Sequence, residues 1–277
     1  MTSSIILSII TFVYAASAVL YISSWIFNKT MLARIAAFIT LAGICGNLAG
    51  FILRWVESYQ HGIGHAPLSN LFESLVFFAL TTAIIYIVIE WRTKETTISV
   101  FASPLPFITM AYASLSPSIS DKIQPLIPAL KSNWLIAHVF TCFLGYAGFA
   151  IAFGMSVMYI AKGYMDTTKG LGARLPQFDV IDELTHQMIM FGFLFLSVGI
   201  ITGSVWANSA WGSYWSWDPK ETWSLITWFI YALLLHSRLM KGWYGKRIAY
   251  ISIIGFAAVL FTYFGVNYLP GLHSYGQ

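Results

Sequence analysis

The sequence predicts an all-α, polytopic membrane protein with about eight transmembrane helices and both termini on the extracytoplasmic side. Three observations predict this class: the composition, the spacing of apolar segments and the distribution of basic residues. Hydrophobic residues make up 58% of the 277 residues and charged residues only 9%. A soluble globular domain carries about 25% charged residues, so the composition excludes a water-soluble fold.

Apolar runs long enough to cross about 30 Å of hydrocarbon define the expected helices. The seventh run is the shortest, and its ends are the least sharply defined. We expect the runs to form one transmembrane domain over residues 1–277. The eight runs cover residues 5–27, 35–53, 71–91, 98–115, 134–161, 186–205, 222–237 and 248–266.

Lysine and arginine predict the orientation of these spans. Eleven of the fifteen basic residues fall in alternate connections, after spans one, three, five and seven. Basic residues concentrate in cytoplasmic loops, so these connections are expected inside. The outer face then holds both termini, the loops 54–70 and 116–133, and the segment 206–223. The four basic residues left for that face are Arg54, Lys122, Lys131 and Lys220.

Residues 206–223, here called the Trp-rich segment, are the most informative part of the chain. The segment contains Tyr214 and five of the eleven tryptophans, namely Trp206, Trp211, Trp215, Trp217 and Trp223. Aromatic anchoring at the membrane interface accounts for one or two such residues. Five in eighteen residues exceed that expectation, and they predict an aromatic surface on the outer face.

The last part of this segment has a local structural explanation. Asp218, Pro219 and Glu221 have the spacing of a helix N-cap, a proline at the first helical position and the third-position glutamate of a capping box. This pattern predicts that a helix starts directly after the tryptophans. Its N-terminus would favour an anionic group on the outer face, with Lys220 beside it. Asn70 and Glu73 open the third span in a similar way.

Two histidines flank the Trp-rich segment on the outer face. His138 lies near the outer start of span five, and His273 lies in the tail after span eight. Neutral imidazole is a good ligand for iron, and two such ligands beside an aromatic surface predict a bis-histidine haem site. An interfacial histidine can also be a simple polar anchor, so this interpretation depends on the three elements sharing one face.

The other histidines divide by depth. His236 lies fourteen residues after Thr222, which is about 21 Å along a helix and within the inner half of the membrane. An ionisable group at that depth is a functional candidate, although proximity to Arg238 also fits an inner-interface position. We interpret His186 as interfacial, and His61 and His65 as residues of the outer loop 54–70.

Several long motifs resemble one known family. Residues 211–218, Trp-Gly-Ser-Tyr-Trp-Ser-Trp-Asp, match the tryptophan-rich WWD signature of haem-handling proteins in cytochrome c maturation. The continuation to Trp228, residues 64–74 and the tail 261–276 are similar to the CcsA branch, also called ResC, of system II. They are less similar to the CcmC and CcmF branches of system I. The resemblance covers nearly the whole chain.

The resemblance implies a membrane subunit of a holocytochrome c synthase, which forms the haem thioether bonds and acts with a CcsB/ResB-like partner. Haem b is then both substrate and ligand, and apocytochrome c supplies a Cys-x-x-Cys-His segment. By resemblance, His138 and His273 ligate the iron at the outer face, and His236 belongs to a deeper haem position. The remaining expected haem contacts are Trp206, Trp211, Tyr214, Trp215, Trp217, Asp218 and Trp223.

The resemblance also implies a bacterial inner or plasma membrane, or a thylakoid membrane, with the site on the extracytoplasmic or lumenal side. Three other functions remain open from the residues alone. One is a haem exporter without synthase activity. Another is an electron-transfer subunit that binds b haem, which usually needs pairs of histidines on facing helices. The third is a purely structural scaffold for the synthase complex.

Overall fold

Helices account for nearly all of the chain in the computed structural model, which describes residues 2–269 and residue 271. Within these residues there is no β-strand, and short 3₁₀ turns cover Pro128–Leu130, Gly172–Arg174 and Gly265–Tyr268. The all-α fold class is therefore confirmed. The α-helices are α1 (Thr2–Phe27), α2 (Thr30–Gln60), α3 (Leu71–Thr93), α4 (Thr96–Ala102), α5 (Pro104–Leu115), α6 (Asn133–Gly163), α7 (Phe178–Trp211), α8 (Pro219–Lys241) and α9 (Lys246–Tyr263).

Each predicted apolar run coincides with one of these helices, except that run 98–115 is divided between α4 and α5. Pro104 begins α5, and a proline cannot donate the backbone hydrogen bond that would continue α4. Among the described residues, seven segments, counting α4 with α5 as one, are long and apolar enough to cross a membrane. α8 is not among these seven, although it forms a helix of 23 residues.

Two helices extend further than the apolar pattern predicted. α2 continues to Gln60 and so includes Arg54, which we expected in the outer loop. α7 continues to Trp211 and so includes Trp206. The Trp-rich segment is therefore part helix and part loop, because the last turns of α7 carry its first two tryptophans. Hydropathy cannot detect such extensions, since the added residues are not themselves apolar runs.

The contacts divide the chain into two compact units. Unit 1 comprises Met1–Ile127 and Tyr164–Pro176, and unit 2 comprises Pro128–Gly163 and Gln177–Gln277. In unit 1, α1 packs along α2 and α5, and α3 packs against α2 and α5. The 164–176 segment is held in unit 1 by Arg174, whose guanidinium donates hydrogen bonds to the carbonyls of Trp25 and Ile26.

Unit 2 is organised around the antiparallel pair α6 and α7, with α9 packed against α6 and α8. Glycines make the first pair close: a Cβ atom at Gly145 would lie 2.9 Å from the backbone nitrogen of Leu196 and 3.0 Å from the carbonyl oxygen of Gly192. Small residues allow helix backbones to approach in this way. α8 is joined to α7 by the hydrogen bond from the Trp228 indole to the Ser197 hydroxyl, at 2.8 Å.

Candidate functional site

His138 lies in the first part of α6 and its imidazole is oriented by α7. The Nδ1 atom is 2.7 Å from the carbonyl oxygen of Gly199. A carbonyl oxygen only accepts hydrogen bonds, so Nδ1 must carry the proton and donate. The neutral ring then keeps the lone pair on Nε2, which is the state that ligates a metal. A backbone carbonyl bound to the other ring nitrogen is the usual arrangement for a ligating histidine.

The surroundings of this ring also fix its position. A Cβ atom at Gly203 would lie 2.6 Å from Nδ1 of His138, so only glycine leaves room for the imidazole there. The Trp206 ring stacks on the imidazole, with centroids 6.0 Å apart and planes 12° from parallel. Trp206 is only 3% exposed. This tryptophan supports His138 from behind rather than offering a free aromatic face.

The remaining aromatic residues of the segment differ in exposure. The Trp211 ring meets Trp206 edge-on with centroids 4.8 Å apart, and Gly212 then ends α7 in the left-handed conformation at φ 77°. The rings of Trp215 and Trp217 meet edge-on, with centroids 5.8 Å apart. The exposed rings are Tyr214 and Trp217, so the structure presents these two, flanked by half-buried tryptophans, on the surface of unit 2.

Trp223 lies beyond the loop, in the first turns of α8. Its ring packs on Phe261 of α9 with centroids 4.2 Å apart. In the same region the Thr262 hydroxyl donates to the carbonyl oxygen of Trp223. This tryptophan therefore joins α8 to α9, and its ring is half-buried.

The predicted capping box at the start of α8 is confirmed. The Asp218 carboxylate accepts from the Lys220 amide at 2.9 Å, and the Glu221 carboxylate accepts from the Asp218 amide at 3.2 Å. Glu221 also accepts from the amide of Ser216 at 2.8 Å. Asp218 itself is buried. These bonds give both carboxylates a structural task, which is to fix the tryptophan loop onto the helix.

A cation and the chain's tail lie close to this cap. The Lys220 ammonium donates to the Asn267 amide oxygen at 3.4 Å. Gly271 lies against Asp218, since a Cβ atom there would overlap the carboxylate. His273, the second expected iron ligand, lies outside the described residues.

His236 is exposed on the surface of unit 2. It belongs to a stripe of exposed side chains on α8 that are spaced three or four residues apart. The other members of this stripe are the large apolar residues Phe229, Leu233 and Met240, all more than half exposed. The structure therefore does not bring His236 together with His138. The imidazole of His236 is exposed within an apolar face of α8.

His186 lies at the opposite end of α7 from the Trp-rich segment. One helical turn earlier, the Asp182 carboxylate is 2.5 Å from the Arg238 guanidinium and also accepts from the Gly245 amide at 2.8 Å. These bonds join the ends of α7, α8 and α9 that lie away from the Trp-rich segment. His186 is half-buried beside this ion pair.

Two groups in unit 1 have contacts that the sequence did not reveal. His65 is buried, and its two ring nitrogens lie 2.8 Å and 3.0 Å from the carbonyl oxygens of Ala66 and Gln124. His65 thus connects the loops at this end of unit 1, whereas His61 is exposed. Arg54 forms a buried ion pair with Glu73, with 2.8 Å between Nε and Oε1. The sequence did not indicate this pair, because Arg54 was expected in the outer loop and Glu73 had a capping explanation.

The long apolar helices of the described residues are those of a polytopic membrane protein, and comparison with known proteins places the chain in cytochrome c assembly. Residues 68–273 match the family model for the cytochrome C assembly protein. The CcsA cytochrome c biogenesis protein of Guillardia theta is 40% identical, over 87% of this chain and 83% of its own. That of Prochlorococcus marinus MIT 9313 is 37% identical over 87% and 85%, respectively.

The chain belongs to the CcsA family of cytochrome c biogenesis proteins, as the resemblance implied. A solved structure of the cytochrome c haem lyase CcmF has a similar fold, with a TM-score of 0.73 at 17% identity. The similarity covers 95% of this chain and 47% of CcmF, so this chain spans about half the length of that protein. At this identity, the likeness concerns the fold alone.

Proposed function

We propose that this chain is the membrane subunit of a cytochrome c synthase, which holds haem b at the outer face of the membrane for attachment to apocytochrome c. The role in cytochrome c maturation is that of its family. The observation that carries the finer proposal is the hydrogen bond from His138 Nδ1 to Gly199. It prepares Nε2 as an iron ligand before any haem is bound.

The second axial ligand in this proposal is His273. Gly271 lies beside Asp218, and the two residues that follow it allow a reach of about 7 Å. Tyr214 and Trp217 supply exposed aromatic surface for the porphyrin, with Trp211, Trp215 and Trp223 around them, while Trp206 supports His138. Lys220 offers a positive charge to a haem propionate, and Asp218 keeps the loop and the helix start together.

In the reaction, each thiol of the Cys-x-x-Cys-His segment adds across one haem vinyl group. The sulfur bonds to one vinyl carbon, the thiol hydrogen goes to the other carbon, and the C=C bond becomes a single bond. The substrate histidine replaces His138 or His273 on the iron, which aligns both thiols with both vinyls. This chain contributes positioning and ligation, and the cofactor contributes the reactivity.

His236 has a separate place in this proposal. Its exposed position among apolar side chains on α8 suits a haem that is shared with a second membrane subunit, because no other described histidine accompanies it on that stripe. A CcsB/ResB-like partner would supply the opposite ligand. The proposed topology has eight spans, with α8 as the seventh, both termini outside, and the Trp-rich segment on the extracytoplasmic or lumenal face.

The test is coexpression with a CcsB-like partner and a reporter that carries one Cys-x-x-Cys-His segment. His138→Ala and His273→Ala should each lower covalent reporter haem by at least about tenfold, and added imidazole should restore part of it. His61→Ala is the matched control, because this histidine is exposed in unit 1. Normal maturation in both ligand variants would contradict the proposal.

Haem content and the haem spectrum distinguish a synthase subunit from an exporter and from an electron-transfer subunit. For His236→Ala, we expect purified protein with little haem; full haem loading would contradict a deep haem position. Normal haem loading at the outer site in a wild-type protein that cannot mature the reporter would instead identify an exporter. A reversible b-type spectrum with maturation unaffected by every histidine substitution would identify an electron-transfer subunit.

A further inference from the structure

Polar side chains follow one another through the interior of unit 1. On α2, the buried residues Thr40, Asn47 and Arg54 recur every seven residues, so they lie on one face of the helix. α1 adds Tyr14, Ser17 and Tyr21, and α3 adds Glu73, Thr82, Tyr86 and Glu90, all buried. Polar and ionisable groups within membrane helices are costly and commonly mark pathways for protons or substrates.

Hydrogen bonds join these residues into separate groups. In the middle, the Thr40 hydroxyl is 2.6 Å from the Ser17 hydroxyl and 2.9 Å from the Tyr86 hydroxyl. Towards the N-terminal end of α3, the Asn47 amide donates at 3.4 Å to the hydroxyl of Tyr14. At the two ends, Arg54 pairs with Glu73, and Glu90 accepts a hydrogen bond from the hydroxyl of Ser99 on α4.

The interruptions between these groups coincide with unsatisfied polar atoms. Among the described residues, eight buried side-chain nitrogen or oxygen atoms lack a hydrogen-bond partner, and four of them belong to this line. The Tyr21 ring packs edge-on against the Tyr86 ring, with centroids 6.3 Å apart. Thr82 lies one turn from Tyr86 in the direction of the Asn47 group. The four atoms are the Tyr21 hydroxyl, Thr82 Oγ1, Asn47 Oδ1 and Arg54 Nη2.

Buried polar atoms in folded proteins are nearly always hydrogen-bonded, either to protein or to ordered water. A buried water typically makes about three hydrogen bonds to such groups. Water at the four unsatisfied atoms would therefore connect the separate groups. From Glu73 to Glu90 the line extends over seventeen residues of α3, or about 26 Å at 1.5 Å per residue, which approaches the thickness of the hydrocarbon core.

We propose that unit 1 contains a file of ordered waters which joins these groups into a proton-conducting line between Glu90 and the Arg54–Glu73 pair. Hydroxyls and waters both accept and donate, so a proton that enters at one end displaces another further along. The carboxylates of Glu90 and Glu73 bind and release the proton at the two ends. Only O–H bonds form and break, and no oxidant or reductant takes part. Arg54 keeps its own protons.

This activity does not depend on haem, and its test is independent of the proposed synthase function. The purified full-length chain is placed in liposomes that enclose a pH-sensitive dye, and the decay of an imposed pH gradient is measured. The wild type should dissipate the gradient several-fold faster than Tyr86→Phe or Glu90→Gln. Tyr86→Phe removes one hydroxyl and keeps the ring that packs edge-on against Tyr21.

Tyr231→Phe in unit 2 is the matched control. Tyr231 is as buried as Tyr86 and its hydroxyl is also unsatisfied among the described residues, but its ring is stacked on Phe149 at 3.6 Å and is not part of the line. This variant should conduct protons like the wild type. An equal loss in Tyr231→Phe and Tyr86→Phe, or a wild type no faster than empty liposomes, would overturn the proposal.

A second measurement detects the waters directly. Hydroxyl radicals formed by radiolysis of bound water label side chains next to that water, even in a protein interior. Tyr14, Tyr21 and Tyr86 should be labelled several-fold more than Phe256 of unit 2, although all four rings are buried. Equal labelling of the four rings would overturn the water file, and strong labelling without any proton flux would overturn its conduction.

Discussion

The two compact units differ in what their helices bury: unit 1 buries polar and charged side chains, and unit 2 brings helix backbones close together. Unit 1 buries charge and polar groups, and some of these pair with one another: Arg54 and Glu73 are 2% and 1% exposed and form an ion pair. Unit 2 relies on close helix contact. The α6–α7 pair meets through glycines, and a Cβ atom at Gly145 would lie nearest to backbone atoms of α7. The site histidine of this unit is oriented by a backbone carbonyl.

Their glycines show the same contrast. In unit 1, a Cβ atom at Gly46 would meet the end of the Ile10 side chain, which can move. In unit 2, a Cβ atom at Gly145 would meet the backbone of α7, which cannot. A site that must hold a large ligand in a defined orientation benefits from the rigid arrangement. The candidate haem site therefore lies in the unit whose central helix pair has the less adaptable contact at Gly145.

The largest expected effect comes from dividing the buried ion pair of unit 1. Arg54→Met leaves Glu73 as a buried charge without its partner and should lower the free energy of unfolding by about 3–5 kcal/mol. Denaturant unfolding in detergent micelles measures this. Lys169→Ala is the control, because the exposed Lys169–Asp166 pair should contribute less than about 1 kcal/mol. Equal effects of the two substitutions would show that Arg54 is not balanced by Glu73.

The next effect concerns the helix contact of unit 2. Gly145→Leu should lower the free energy of unfolding by about 1–3 kcal/mol or more, because its new side chain must displace the backbone of α7. Gly46→Ala in unit 1 should be much milder, since Ile10 can change rotamer. The comparison is made by thermal unfolding of both variants. Similar shifts in Tm would remove the proposed difference between the two cores.

A smaller effect on stability, with a larger effect on the site, is expected at Gly203. Gly203→Ala introduces a methyl group against the His138 ring and should cost about 1 kcal/mol of unfolding free energy. It should change the visible spectrum of bound haem and lower reporter maturation, since Nε2 of His138 moves. Gly212→Asn is the control, because this position has open space around it and a left-handed φ that asparagine tolerates. An unchanged spectrum in Gly203→Ala would contradict the orientation of His138 by α7.

The smallest effect tests the cap of α8. Asp218→Ala should lower the free energy of unfolding by about 1 kcal/mol, while Asp218→Asn keeps a capping oxygen and should cost less. If capping is the main task of Asp218, reporter maturation will follow the stability of the two variants. A severe loss of maturation in Asp218→Asn with unchanged Tm would instead indicate that the negative charge acts on the haem or substrate.

The sequence by itself determined the helical membrane class, the positions of the apolar helices, the capping box at Asp218 and the family. These features arise from residues close together in the chain: an apolar run is continuous, and a capping box involves residues three positions apart. The ends of α2 and α7 could not be predicted from the sequence, because helices that extend past the apolar run are held there by contacts with other helices. For this reason Trp206 and Trp211 were expected in a loop and lie in α7.

The partners and the burial of the side chains in these segments became visible only in the tertiary structure. His138 and Gly199 are 61 positions apart, so no local pattern indicates which nitrogen of the imidazole stays available for iron. The burial of Trp206 behind that ring and the pairing of Arg54 with Glu73 are equally non-local. Local periodicity specifies which helices form, whereas the partner of each polar group depends on which helix faces it, and that depends on how all the helices pack together.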